Sequence, residues 1–415
     1  MNTSNRLSDF FYVASGFVEA AKALGVVICL KEFWANYFNV LSFNIDLISA
    51  FSSLLAPWSI LYLQRSRNEL DGYSNTCVTL IPVAVLVSAA YFSCSVYFVF
   101  GSDDKIRNTL LLFLLCRALS LIVISVNTIN FLVMMREGRG GQIFLIQVLS
   151  LLSIYAVYIF FSEFFLSWDL FFVGLGLLLI DCVMVVTTLG VVRRLGAELK
   201  VRKIQAVAIM SKLQSQRLIL LPELGSVVII ILSGLLVTMA VFFTFYADYH
   251  LYRLPFAFMA ASWLISSKAM LLVMSFFATE RKAGLFYAVV DVFKATWYVP
   301  CILLMLAYFW LGKSLGGGDQ EMFIQVLLAL GYYPAMVAII ALSAWLRMKG
   351  KNGILLKANY IMLLLYFFPV SMMICFGLVS LIYVLHLIGS SYLIRGLIII
   401  YLSGVKRNVN YRLLK

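Results

Sequence analysis

The chain has 415 residues, of which 63% are hydrophobic and only 12% charged, and its mean hydropathy is +0.99. Water-soluble domains are about 45–50% apolar and about 25% charged, so this composition excludes a protein whose surface faces water over most of its area. The formal net charge of +13 suggests nucleic acid as a partner, unless the basic residues lie beside membrane spans on one side.

Twelve apolar runs follow one another along the chain, each long enough for a membrane-spanning helix of about 20 residues. They lie near residues 10–30, 39–63, 77–100, 108–135, 142–162, 170–192, 218–246, 254–278, 284–312, 322–346, 354–376 and 378–403. Only a turn at Gly377 separates the last two runs, and the first contains Glu19 and Lys22. Because backbone groups in lipid must be hydrogen-bonded within their own segment, the pattern predicts an all-α polytopic membrane protein.

The basic residues alternate between the predicted loops in a way that indicates the orientation of the chain. Of the 32 lysines and arginines, 22 lie on the side that carries both termini. The opposite loops hold five, namely Lys31, Lys105, Arg107, Arg253 and Lys313. Because cytoplasmic loops are enriched in Lys and Arg, both termini are predicted to be cytoplasmic. The same asymmetry accounts for the net charge without nucleic acid.

The densest basic segment, residues 193–217, separates the sixth run from the seventh. It predicts a cytoplasmic amphipathic linker that rests on the anionic headgroups of membrane lipids. The predicted domains are therefore an N-terminal six-helix half at 1–192, the linker at 193–217, a C-terminal six-helix half at 218–403 and a basic cytoplasmic tail at 404–415.

Two features recur on both sides of this linker and predict an internal repeat. The segments YLQRSRNELDGY and FATERKAGLFY follow the second and eighth runs, and Arg67 aligns with Arg281 at an offset of 214 residues. Pro82 and Pro300 lie in the third and ninth runs at an offset of 218. Two pseudo-symmetric halves typically have the substrate path at their interface, and rocking of one half against the other gives alternating access.

Twelve spans in two sets of six, basic turns after spans two and eight and a long basic linker resemble the multidrug/oligosaccharidyl-lipid/polysaccharide (MOP) flippase superfamily. The segment KEFWANYFNVLSFNIDLISAFSSLLAPWSILYLQRSRNE, residues 31–69, looks like the first loop and second span of these proteins. The resemblance covers essentially the whole chain and implies the MATE-like fold.

Two branches of the superfamily fit this pattern. The polysaccharide branch, with its O-antigen flippases, moves undecaprenyl-pyrophosphate-linked oligosaccharides across the bacterial inner membrane. The resemblance to it implies a lipid-linked oligosaccharide as substrate, polysaccharide polymerase machinery as a further partner and no cofactor. The multidrug and toxin extrusion (MATE) branch, which is the alternative, expels organic cations against H⁺ or Na⁺. The polysaccharide branch is the first expectation.

Charged residues inside the predicted spans are candidates for function, because hydrocarbon disfavours them strongly. The basic ones are Lys22, Arg117, Lys268, Lys294 and Arg395, and the acidic ones are Glu19, Asp46, Asp181, Glu223 and Asp291. Glu19 with Lys22, and Asp291 with Lys294, have the i,i+3 spacing at which a helix neutralises its own charges. Glu223 follows Pro222 at the start of a run and is expected to favour a helix N-terminus.

Two interpretations of these charges stay open. In one, they pair with one another and lock the helix bundle. In the other, all five basic residues are substrate-path candidates that receive a pyrophosphate or an acidic sugar. A cation exporter instead needs acids and aromatics, and the ion-coupling candidates are then Glu19, Asp46, Asp181 and Asp291.

A membrane-embedded glycosyltransferase or polymerase is the competing class. The predicted periplasmic loops, such as GSDDKIRN and YADYHLYRL, have no room for a catalytic domain, and the sequence contains no paired carboxylates or nucleophile constellation. The seven cysteines have no CxxC or Cys/His spacing typical of a metal site. The sequence therefore predicts a transporter without an enzymatic activity or a metal.

Overall fold

A computed structural model of the chain describes residues 3–33, 38–65, 69–99, 104–164, 169–196, 206–279, 290, 293–294, 296–311 and 318–404. Within these ranges every regular element is a helix, which confirms the predicted all-α class. The chain divides into two compact units, unit 1 at Met1–Leu220 and unit 2 at Leu221–Lys415.

The described residues of unit 1 form seven helices and the first turns of an eighth. They are α1 (Thr3–Phe33), α2 (Phe38–Ser53), α3 (Ala56–Arg65), α4 (Glu69–Val99), α5 (Asp104–Arg136), α6 (Gly140–Phe164), α7 (Asp169–Arg194) and α8 (Ala206–Thr244), and most of α8 belongs to unit 2. Within unit 1, α1 packs along α6, while α5 packs along both α4 and α7.

Unit 2 continues from α8 with shorter and more interrupted helices. They are α9 (Tyr249–Thr279), α10 (Val299–Leu311), α11 (Gly318–Gly331), α12 (Tyr333–Met348), α13 (Asn352–Met362), a π-helical turn (Leu363–Phe367), α14 (Phe368–Cys375) and α15 (Leu381–Ser403). Helix α9 packs against α11 and α12, and α15 packs against α12 and α13. The predicted turn at Gly377 is confirmed, because Gly377 has a left-handed φ of 69° that glycine adopts without strain.

Ten segments of the described chain are long and apolar enough to cross a membrane, and an eleventh is a pair of helices bent by 41°. These eleven correspond to the predicted runs other than the one at 284–312. Of that run, the structure describes the shorter apolar helix Val299–Tyr308. The chain is therefore a multi-pass membrane protein.

Prolines explain where the helices are interrupted. Four of the seven prolines, Pro57, Pro300, Pro334 and Pro369, are the second residue of a described helix. Proline is favoured there because the first backbone N–H groups of a helix have no partner within it. The second span is consequently broken between α2 and α3, and the bent pair is broken at Tyr332. Pro82, by contrast, lies inside α4, so its expected equivalence with Pro300 does not extend to the position within the helix.

Arg253 is placed differently from the sequence prediction. It was expected in a periplasmic loop, but it lies one turn into α9 with 4% of its surface exposed. Its guanidinium carbon is 5.7 Å from the centroid of the Phe256 ring, a geometry that favours a cation over an aromatic face. The loop prediction was wrong because α9 begins before the apolar run does.

Gly389 in α15 lies against the ring of Tyr332, and a Cβ atom at this position would overlap that ring. We expect Gly389→Ala to lower the free energy of unfolding by roughly 1–3 kcal/mol, because a packed ring has to move. Gly396→Ala in the same helix is the matched control, since its Cβ would lie 3.5 Å from Ile339 in ordinary contact. Thermal unfolding in detergent measures both variants, and equal midpoints would contradict the prediction.

Candidate functional site

The first group of charged residues in unit 1 joins α1 to α6 through a buried amide. Gln147 Nε2 donates a hydrogen bond of 2.8 Å to Glu19 Oε1, and Lys22 Nζ donates one to Gln147 Oε1. Gln147 is only 3% exposed. The sequence predicts that Glu19 and Lys22 neutralise each other within α1, and the structure adds a bridge from a neighbouring helix. Gln147 was missed because it carries no charge.

The second group joins α5 to α7. Arg117 Nη1 lies 3.4 Å from Asp181 Oδ2 and 3.3 Å from the hydroxyl of Ser120. Asp181 is 8% exposed, and Lys22 lies close enough to act on it electrostatically. We therefore treat Glu19, Lys22, Gln147, Arg117 and Asp181 together as the unit 1 charge cluster.

The charges of this cluster balance, with two acids against two bases. Hydrocarbon and buried protein screen charges weakly, so the pairing has to be local and close. Neutralising one acid by a proton leaves a net positive charge on the remaining charged residues of α1, α5 and α7. The binding of one cation can therefore change the electrostatic attraction between these helices.

An uncharged hydrogen-bond chain continues the polar surface along α5 and α7. Tyr73 OH donates to Asn130 Oδ1 at 2.7 Å, and Asn130 Nδ2 donates to Thr188 Oγ1 at 2.9 Å. Thr188 Oγ1 in turn donates to Asn127 Oδ1 at 2.9 Å. Ser120 and Asn127 are two helical turns apart and so lie on one face of α5. Polar residues at this spacing in an apolar run are the sequence feature from which this hydrogen-bond chain could have been predicted.

Unit 2 contains a buried ion pair that the sequence did not predict. Glu223 Oε1 accepts from Arg347 Nε at 2.8 Å and lies 2.5 Å from Arg347 Nη2. The two side chains are 1% and 9% exposed. Arg347 was assigned to a cytoplasmic loop and Glu223 to a helix N-terminus, and both assignments were wrong. Helix α12 extends to Met348, and the described part of α8 already begins at Ala206.

Three further polar residues surround this pair. Asn359 Nδ2 donates to the hydroxyl of Ser226 at 2.6 Å, which joins α13 to α8. Arg395 of α15 is 9% exposed, and the charges of Arg347 and Glu223 act on it.

The remaining candidates are dispersed. Lys268 in α9 and Asp46 in α2 are half-buried, Lys294 is exposed, and Asp291 lies outside the described residues. Across the described ranges there is no group of three or more His, Cys, Asp or Glu side chains arranged to hold a metal ion.

Comparisons with known proteins identify the fold of the chain. No protein-family model matches the sequence, and no curated protein matches it either. Solved structures do match. A point mutant of a MATE protein has a TM-score of 0.67 at 10% identity, covering 98% of this chain and all of its own. A eukaryotic MATE transporter has a TM-score of 0.62 at 13% identity, covering 98% of this chain and 96% of its own.

A third match is a MOP superfamily transporter from Pyrococcus furiosus, described by the reversed polarity of its binding pocket, which suggests a different function. Its TM-score is 0.55 at 12% identity, with 97% of this chain and 95% of its own covered. Similarities at these identities define the fold alone. The chain is thus a multi-pass membrane protein with the fold of MATE transporters of the MOP superfamily.

Proposed function

We propose that this chain is a secondary transporter of the MATE type, which exports organic cations in exchange for H⁺ or Na⁺. Of the two branches expected from the sequence, this one has the better support, because the similar structures include several MATE transporters. The observation that carries the proposal is the unit 1 charge cluster. A balanced set of two acids and two bases, of which Asp181 is buried and the other three are half-buried among apolar helices, is suited to coupling because one bound cation changes its net charge.

In the proposed mechanism, H⁺ or Na⁺ binds a carboxylate of the cluster and weakens the attraction of that carboxylate for its basic partner. Glu19 and Asp181 are the acids concerned, and Asp46 in α2 is a further candidate. A ligand shifts a conformational equilibrium only by its difference in affinity for the two states. The ion pair between Arg117 and Asp181 supplies such a difference, because the coupling ion and the guanidinium group compete for the same carboxylate oxygen.

The test is transport by the purified protein in liposomes that carry a pH or Na⁺ gradient, with a fluorescent organic cation as substrate. We expect Glu19→Gln to reduce gradient-driven transport by roughly 10- to 100-fold, which lies within the roughly 5- to 150-fold range of a coupling free energy of about 1–3 kcal/mol. Asp248→Asn is the matched control, because Asp248 is an exposed acid in the turn between α8 and α9. Wild-type protein that moves no organic cation under either gradient would refute the proposal.

A second candidate, flipping of an undecaprenyl-pyrophosphate-linked oligosaccharide, is favoured by one observation in unit 2. There, Arg347 and Arg395 lie near a single acid, Glu223, so the buried charge is positive in excess. Arginines of this kind suit a pyrophosphate better than an organic cation. Loss of surface glycan when the gene is deleted, with no change in drug resistance, would select this candidate over the first.

A further inference from the structure

Arg395 is a buried arginine whose charge is not matched by the described residues around it. It lies in the membrane-spanning helix α15 with 9% of its surface exposed. Among the residues that the structure describes, its Nε has no hydrogen-bond partner. Glu223, an acid whose charge acts on Arg395, already binds Arg347 through Oε1. An arginine buried without a hydrogen-bonded counter-charge is strongly destabilising, so a bound anion is the simplest explanation.

The residues around Arg395 converge from four helices. Glu223 and Ser226 are three residues apart and share one face of α8. Ser226 is joined to Asn359 of α13 by a hydrogen bond of 2.6 Å, and Glu223 is joined to Arg347 of α12. One turn after Arg395, Ile399 packs in a buried cluster with the neighbours of Arg347 and Asn359 along the chain, Leu346 and Ala358. The apolar cluster therefore packs α12, α13 and α15 together next to these polar residues in the chain.

Two acceptor atoms of these neighbouring residues also have no partner within the described ranges. They are Glu223 Oε2 and Asn359 Oδ1. A ligand that satisfies all three atoms needs a negative oxygen for the guanidinium and a hydroxyl proton for the acceptors. A carboxylate has only the first, whereas a protonated phosphate has both.

We propose that Arg395, Arg347, Glu223 and Asn359 form a binding site for a phosphate group in unit 2. Arginine guanidinium groups bind phosphate oxygens with strong, charge-assisted hydrogen bonds. This site belongs to unit 2 and shares no residue with the unit 1 charge cluster.

Two residues of the site lie near the end of a span, and Arg395 lies closer to the middle of its span. Glu223 is three residues into its span, which begins at Leu220, and Arg347 is the penultimate residue of α12. Arg395 is eight residues before the end of α15, about 12 Å along the helix axis. Phosphate reaches such a site either from an anionic lipid headgroup or from free phosphate in solution, because headgroups border the hydrocarbon at the span ends.

Thermal unfolding of the purified full-length protein tests the site without any transport measurement. In nanodiscs of phosphatidylcholine, one arm adds inorganic phosphate against sodium chloride of equal ionic strength. The other arm compares these nanodiscs with nanodiscs that contain phosphatidylglycerol. We expect at least one arm to raise the unfolding midpoint by about 3 °C or more, as ligand binding to the folded state predicts. The arm that responds identifies the source of the phosphate.

Two variants decide whether the shift arises at this site. Arg395→Gln removes the unmatched charge, so without phosphate it should unfold at the wild-type temperature or above, and the shift should disappear. Lys349→Gln removes an exposed charge in the turn between α12 and α13 and should keep the full shift. No shift in either arm, or an equal shift in Arg395→Gln, would overturn the proposal. Failure here would leave the proposed export function untouched.

Discussion

Replacing Glu223 by Gln will destabilise the protein by roughly 3–5 kcal/mol, the amount typical of breaking a buried ion pair by removing one partner. The loss is large because Glu223 is 1% exposed and is the acid bound to Arg347. Its removal leaves Arg347 and Arg395 as two buried positive charges in one place. Equilibrium unfolding of the purified protein in detergent or mixed micelles measures the change.

The double variant Glu223→Gln/Arg347→Met separates the ion pair from other effects of the substitution. Removing both partners leaves fewer uncompensated charges, so the double variant should be more stable than Glu223→Gln alone. The two changes should deviate from additivity by about 1–3 kcal/mol, as contacting residues do. Additive losses, or a Glu223→Gln protein as stable as wild type, would show that the pair contributes little to the fold.

Asp181→Asn is expected to reduce transport by roughly 10- to 100-fold, as much as Glu19→Gln. Asp181 is 8% exposed and interacts with both Arg117 and Lys22, so its charge controls the balance of the unit 1 charge cluster. The same substitution leaves Arg117 without its acid and will also destabilise the protein. Gradient-driven uptake into liposomes therefore has to be normalised to the amount of folded protein.

The double variant Arg117→Gln/Asp181→Asn distinguishes coupling from structural locking. It restores charge balance, so its unfolding midpoint should return towards the wild-type value. If Asp181 carries the coupling ion, transport stays low in the double variant although the protein is stable. Recovery of both stability and transport would instead identify the pair as a lock between α5 and α7.

The long spans were predictable because each of them is an apolar run of sufficient length. The hydropathy of a run depends on its own sequence and not on the helices that pack against it. The interruptions at Pro57 and Pro334 were not predicted, because mid-span prolines also occur within continuous helices, as Pro82 does in α4. Pro334 is visible in the sequence as a possible break, but only the structure shows that the two helices around it are bent by 41°.

The charged sites were predicted less completely, for a different reason. Glu19, Lys22, Arg117 and Asp181 were identified as intramembrane charges, but their partners on other helices depend on packing that no spacing rule reports. Arg347 was assigned to a loop because it closes an apolar run, where a basic residue usually meets water. Its partner Glu223 is 124 residues away in the sequence, and the helix that contains it begins well upstream.

The amide of Gln147 gives the contact between Glu19 and Lys22 a direction. An ammonium group can only donate, so Lys22 fixes the amide oxygen on its own side and the amide NH₂ on the side of Glu19. If Oε1 of Glu19 carried a proton, its O–H would face the Nε2 hydrogens of Gln147, so that two donors would lie opposite each other. The amide would then have to turn, and its NH₂ would face the ammonium of Lys22. Protonation of Glu19 on α1 would thus act through Gln147 on α6 and displace the ammonium group of Lys22, which is also on α1.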